Sequence, residues 1–400
     1  MGDQKRPRGQ CASSCSDSPG NVEANPGTHP HLRIGLIGCG WFTRRAHIPA
    51  LLKLQKRSSA SLKFTFSVVA IWSRSKASRE RAAHMLPHPP REYETYTALL
   101  QGDDIDAVVI ALPIHIQPTV IKLALEAGKQ VISEKPAASS TTMADTLWQT
   151  FNDSGVSWSV LENWSFKPGF RRLSELIKHG TIGEVASYSA TLSQSFPARE
   201  EQCKWRFNAN EAYEGGNCLD VGVHLVRVLR ELFGEVVSVQ ATRWDEVKGI
   251  LHGKVVHEGP AHVGGIHGIV ELELTNSDTA DKARERASGI AVNGQAGQKL
   301  FWRFAPSEIT VETTRFAAKT STGGSVAHAR VEKINGDSWT TGGVREVLLD
   351  ALSRCARPDV RHCSVYWLDK SSHLRRCLHF VYALFTDRFP GDKHHQHPKH

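Results

Sequence analysis

The chain has no run of about twenty uninterrupted apolar residues, so a membrane-spanning helix is excluded. Lys5, Arg6 and Arg8 open it without an apolar stretch behind them, which excludes a secretory signal. Cysteine is sparse, with eight in 400 residues; only Cys11 and Cys15 lie close together, and there is no CxxC pair. That spacing excludes a disulfide scaffold and argues against a structural zinc module, so a reducing cytoplasmic setting is expected. The formal charge is +8, yet no Lys/Arg block or aromatic-basic module accompanies it. The basic residues alternate with acidic ones, so a nucleic-acid partner is not expected. Anionic small molecules suit the same charge.

What is present is an ordinary globular composition, 40% hydrophobic and 22% charged, at a length that allows two or three domains. Residues 1–30 are rich in Ser, Pro, Gly and Asn and read as a disordered extension; residues 388–400 read as a His-rich tail. Between them the text divides at about residue 163. In 31–162, short continuous apolar runs alternate with helical patterns: Leu32–Ile37, then a helix over Arg44–Leu54; Phe66–Trp72, then a polar helix; Ala107–Leu112, then Thr119–Ala127; and Gln130–Ser133. This alternation predicts an α/β domain with a parallel sheet covered on both faces. In 163–387, helices at Phe170–Gly180 and Cys218–Phe233 accompany strand-like runs at Glu184–Phe196, Val236–Arg243, Ile266–Leu274, Lys299–Phe304 and Ile309–Thr314. Helices at Val344–Cys355 and Val365–Phe385 follow. Runs of strands with few helices between them predict an α+β domain with a mostly antiparallel sheet.

The chemistry starts at the first strand–turn–helix, Gly38-Cys39-Gly40-Trp41-Phe42-Thr43. A glycine-rich turn there lets backbone approach a pyrophosphate at the helix N-terminus, as in a Rossmann dinucleotide site. Thr43 replaces the third glycine of that fingerprint, which predicts looser helix–strand packing. The second strand ends in Ser73-Arg74-Ser75-Lys76 rather than in an acidic residue. An arginine with a hydroxyl suits a ribose 2′-phosphate, so NADP is favoured, with NAD possible. Glu134-Lys135-Pro136 follows the fourth strand; a lysine at that strand end faces the ligand crevice. Asp220 and His224 are four apart on a predicted helix and share a face. By itself such a pair is an ordinary surface feature. Beside a lysine and a dinucleotide turn, the carboxylate would orient the imidazole and raise its pKa toward an acid/base range. Lys135 would polarise a carbonyl or stabilise an alkoxide. His252, His257, His262 and His267 recur every five residues, but glycines and Pro260 between them suggest a loop, and no metal site is expected.

Together, the dinucleotide turn, Pro113, Glu134-Lys135-Pro136, Gly180-Thr181-Ile182-Gly183-Glu184-Val185 and Gly215-Gly216-x-x-x-Asp220-x-Gly222-x-His224 resemble the Gfo/Idh/MocA oxidoreductases over about residues 32–386. The resemblance implies an N-terminal Rossmann domain, a second α+β domain and hydride transfer to or from a sugar, polyol or cyclic diol. It implies a catalytic group of Lys135, Asp220 and His224, with His224 as acid/base and Pro136 often cis. Expected cofactor contacts are Gly38, Gly40, Trp41, Phe42, Ser73, Arg74 and Lys76 on the first two strand ends. On the later strand ends they are Leu112, Pro113, Gln117, Glu134, Lys135 and Asn163. Many relatives have arginine where Ser165 stands, which puts the substrate pocket in doubt. A homo-oligomer, dimer or tetramer, is implied as well. Two alternatives stay open: a catalytically silent dinucleotide-binding regulator, and an enzyme that cleaves a glycosidic bond by transient oxidation with a retained cofactor.

Overall fold

The computed structural model describes residues 29–56, 62–195, 216–245, 250–258, 265–275, 287–295, 297–304, 307–315, 326–333, 344–356 and 363–364. The expected extension, His-rich tail and Val365–Phe385 helix lie outside these residues, apart from His29 and Pro30.

The first layer alternates as its sequence requires. It runs β1 (His31–Ile37), a π-helical turn (Thr43–His47) continuing as α1 (Ile48–Gln55), β2 (Thr65–Trp72), α2 (Lys76–Ala83), β3 (Arg91–Glu92) and α3 (Tyr96–Leu100). Then come β4 (Ala107–Ile110), α4 (Gln117–Glu126), β5 (Gln130–Glu134), α5 (Thr141–Ser154) and β6 (Trp158–Leu161). All pairings in this sheet are parallel, and its order is β15-β6-β5-β4-β1-β2-β3, where β15 is Cys363–Ser364. From β3 to β6 this is the doubly wound order, with the reversal between β1 and β4. Every residue of β4 and of β6 is buried, because helices cover both faces.

A short 3₁₀ turn (Asn163–Phe166) leads into α6 (Pro168–Lys178), β7 (Val185–Ser195) and α7 (Gly216–Phe233). The second sheet then adds β8 (Val236–Asp245), β9 (Ile250–His257), β10 (Ile266–Thr275), β11 (Gly289–Gly294), β12 (Lys299–Arg303), β13 (Glu308–Arg315) and β14 (Val326–Lys333). Its order is β14-β13-β12-β11-β7-β10-β9-β8, antiparallel except for β7 with β10. Here one face is covered, so burial alternates: Tyr188, Ala190 and Leu192 of β7 point into the core. Val237, Ile269 and Val331 remain exposed.

Three findings depart from the expectations. The histidine series is not a loop: His252 and His257 lie on β9, and His267 lies on β10. His252 pairs with Glu273, whereas His257 is buried between Tyr188 and the Gly234 carbonyl; His262 lies outside the described residues. No group of three such side chains among the described residues could hold a metal ion. Second, the chain returns to the first layer: α8 (Val344–Cys355) packs on α1 and β6, and β15 (Cys363–Ser364) pairs with β6. Sequence order assigns residues 344–364 to the second domain, but the apolar face of α8 is buried with the first sheet. Third, Thr43, expected to loosen helix–strand packing, is buried and bonded into the turn. Its hydroxyl donates to the Gly38 carbonyl at 2.6 Å, and the helix widens into a π turn around it.

Candidate active site

The parallel register brings the strand ends level. Ile37 of β1 pairs with both Trp72 and Ile110, Ile110 pairs with Ser133, and Glu134 pairs with Leu161. Gly38, Ser73, Leu112, Lys135 and Glu162 therefore all follow the same carboxyl edge, where open α/β sheets bind ligands.

At β1, Gly38 has a φ of +98°, and a Cβ there would lie 2.2 Å from the Ala111 carbonyl oxygen. Only glycine allows that close approach. Space around Gly40 is open, with nothing within 4 Å of a built Cβ. The amides of Trp41 and Phe42 precede the first helical bond, from Arg44 N to Gly40 O, as first-turn donors do. At β2, Arg79 of α2 is buried and donates to the Ser73 carbonyl at 2.8 Å while pairing with Glu92 and Glu94. It fixes the turn that carries Arg74, which is exposed. Lys76 is also exposed, with Glu80 at 3.8 Å.

Around Lys135 the backbone is clamped. Gln117, 1% exposed, donates from Nε2 to the carbonyls of Glu134 (2.7 Å) and Pro136 (2.9 Å), and its Oε1 accepts from Leu112 N. Glu134 Oε1 meets His47 Nε2 at 2.7 Å, and its Oε2 accepts from Lys135 N. The Gln117 and Glu134 side chains, expected at a cofactor, are thus occupied by the protein itself. The Lys135–Pro136 peptide is cis.

Lys135 Nζ reaches across to α7, donating to Asp220 Oδ1 at 3.1 Å and to the Asp220 carbonyl at 2.7 Å. Asp220 therefore does not orient His224 as the helix spacing suggested. His224 Nδ1 instead meets Glu162 Oε1 and Oε2 at 2.7 and 2.8 Å, and Glu162 also accepts from Trp164 N. The Trp164 ring stacks on the imidazole, 9° from parallel. Burial would raise the Glu162 pKa, but His224, the Trp164 amide and Lys135 outweigh it, and the carboxyl sits below its ordinary range. For His224 the expected rise is reversed: burial, helped by Lys135, holds it below the usual histidine value against Glu162 and Asp220. The two groups form one buried carboxyl–imidazole pair.

Asn163 begins the buried turn after Glu162. Ser165 receives Arg227 Nε from α7 at 3.1 Å, so a guanidinium reaches that position from a neighbouring helix. Gly215 lies outside the described residues. Sequence reasoning missed Glu162 and His47. Glu162 was detectable as the residue following a sixth strand; His47 had only its place one helical turn past the glycine turn.

Residues 32–162 match the family described as an oxidoreductase family with an NAD-binding Rossmann fold, and residues 170–275 match the GFO/IDH/MocA C-terminal domain. Dehydrogenase FPY6 of Fusarium mangiferae is 32% identical over 205 residues, 51% of this chain and 58% of that protein. A dTDP-3,4-didehydro-2,6-dideoxy-alpha-D-glucose 3-reductase of Actinomadura kijaniata is 31% identical over 51% of this chain and 56% of its own length. The chain thus matches less than two thirds of these relatives. Among solved structures, an oxidoreductase from Thermotoga maritima superposes with a TM-score of 0.67 at 20% identity, over 89% of this chain and 96% of that one. The 3-ketoreductase KijD10 of A. kijaniata, solved with NADP and TDP-benzene, gives 0.64 at 22% identity, over 88% and 96%.

Proposed function

Because the chain belongs to the Gfo/Idh/MocA oxidoreductase family, we propose that it is an NADP-dependent oxidoreductase acting on a hydroxyl- or carbonyl-bearing carbon of a sugar, polyol or cyclic diol. One observation supports this reading above the others: Lys135, which follows β5 on the same sheet edge as the glycine turn after β1, pairs with Asp220 of α7, the helix that also carries His224. The residues present suit the cofactor. Gly40 leaves open space beside the first-turn amides of Trp41 and Phe42 for a pyrophosphate, and Ser73 and exposed Arg74 follow the carboxyl end of β2, which supports a 2′-phosphate there. When bound, NADP supplies the hydride acceptor or donor.

The protein supplies the rest. Lys135, held by Asp220 and clamped through Gln117, directs positive charge at the substrate oxygen. His224 takes a proton from a hydroxyl through Nε2, or returns one to a carbonyl oxygen. Leu112, Pro113 and Asn163 border the same edge. The dTDP-keto-sugar reductase among the relatives supports the sugar class.

Fluorescence titration with NADPH and NADH, followed by a screen of keto-sugars, polyols and cyclic diols at the nicotinamide absorbance, tests the proposal. NADPH should bind more tightly, and at least one substrate class should turn over. Failure to bind either nucleotide would refute it.

A further inference from the structure

We propose that Glu162 is the positioning residue of this site: it holds His224 as the Nδ1–H tautomer in one ring orientation, so that Nε2 presents a lone pair to the substrate. The inference rests on the proton-transfer role given to His224 above. An ionised carboxylate offers only acceptors, so an imidazole nitrogen 2.7 and 2.8 Å from its two oxygens must carry the hydrogen. Glu162 is itself held in place by burial and a backbone amide. Its side chain is 0% exposed, it follows directly on β6, and Oε1 also accepts the Trp164 amide at 2.8 Å. The Trp164 ring, 5.2 Å from the imidazole centroid and nearly parallel, limits rotation from another side. Nε2 has no hydrogen-bond partner among the described residues, and 12% of the His224 side chain reaches solvent.

The helical neighbour does not hold Nδ1, which faces both Glu162 oxygens, while Asp220 Oδ1 and its carbonyl accept from Lys135. The site thus contains two couples, Lys135–Asp220 and Glu162–His224, each joining the two domains. The charged groups facing His224 are Glu162 after β6, Lys135 after β5 and Asp220 on its own helix. A proton leaving the substrate hydroxyl goes to Nε2, and the imidazolium so formed is stabilised by the Glu162 carboxylate. In the reverse direction that proton returns to the carbonyl oxygen. His224 without Glu162 could protonate Nε2 instead, and that tautomer accepts no proton there.

Two measurements test this. Nitrogen-15 NMR of the wild-type protein at neutral pH should show His224 protonated at Nδ1 and bare at Nε2; the opposite tautomer would overturn the proposal without any variant having to fold. In Glu162→Gln, turnover should fall roughly 10²-fold or more while NADPH affinity holds. The acid limb of its pH–rate profile should move to lower pH, because the imidazolium loses its counter-charge, and Glu162→Asp should restore part of that shift. Wild-type turnover with an unmoved limb in Glu162→Gln would overturn it as well. A correct tautomer in a protein whose His224→Ala variant keeps full turnover would refute the catalytic reading and leave the Glu162 contact standing.

Discussion

Gln117→Ala should destabilise the protein and slow it together, because one side chain joins two site loops. Its Nε2 bonds the carbonyls on either side of Lys135 at 2.7 and 2.9 Å, and its Oε1 takes the Leu112 amide at a weaker 3.3 Å. Two good neutral hydrogen bonds contribute about 1 kcal/mol each, and the third less. Truncation also leaves a void in a site that is 1% exposed, adding roughly another 1 kcal/mol. The expected loss is therefore about 2–4 kcal/mol, read as a lower urea midpoint with an unchanged slope. Gln117→Glu should fare no better, since a carboxylate has nothing to donate to two carbonyls. Turnover should drop in both variants because Lys135 sits between the released carbonyls. A loss below about 0.5 kcal/mol, the range of ordinary surface changes, would refute the clamp.

Arg74→Ala should weaken NADPH about tenfold or more, the size of a lost charge-assisted contact, and leave NADH nearly unchanged; equal losses in fluorescence titrations would count against the 2′-phosphate placement. Gly268→Ala should cost about 1–3 kcal/mol as overpacking, since a Cβ there would fall 1.9 Å from the Tyr188 ring; a wild-type denaturation midpoint would contradict that. His257 donates from Nδ1 to Gly234 and accepts from the Tyr188 hydroxyl, and burial holds its pKa below the ordinary value. The unfolded state therefore binds the proton first, so stability should decline as pH falls below about 6.5 toward the folded pKa. Removing the imidazole with His257→Gln should take away that part of the slope in thermal melts at several pH values.

The first layer was legible because its strands are continuous apolar runs punctuated by glycine and by helices, a period nothing else imitates. β6 escaped notice: Trp158–Leu161 is only four residues, with a serine inside, and with it went Glu162. In the second sheet, β9, β11 and β14 were missed because glycine, histidine and charged residues interrupt them, and cross-strand pairing outweighs those weak propensities. Lys135, Asp220 and His224 were visible as residue types at strand and helix positions. Their pairing was not, since i,i+4 spacing describes one helix and says nothing of the carboxylate that another strand brings. The sign of the His224 shift was misjudged for the same reason, as burial is a tertiary property. The return of α8 and β15 to the first sheet likewise depends on which apolar face and strand edge each meets, which chain order does not record.

In the proposed mechanism His224 exchanges the substrate proton while Lys135, held by Asp220, meets the substrate oxygen. Stopped-flow hydride transfer at the nicotinamide absorbance, on a substrate from the screen, tests it most directly when wild type is compared with His224→Ala. A fall in rate of roughly 10²–10⁴, the usual share of acid/base catalysis, with NADPH affinity unchanged, is the predicted result. Hydride transfer at the wild-type rate in His224→Ala would contradict the account and return the Glu162–His224 pair to a structural role.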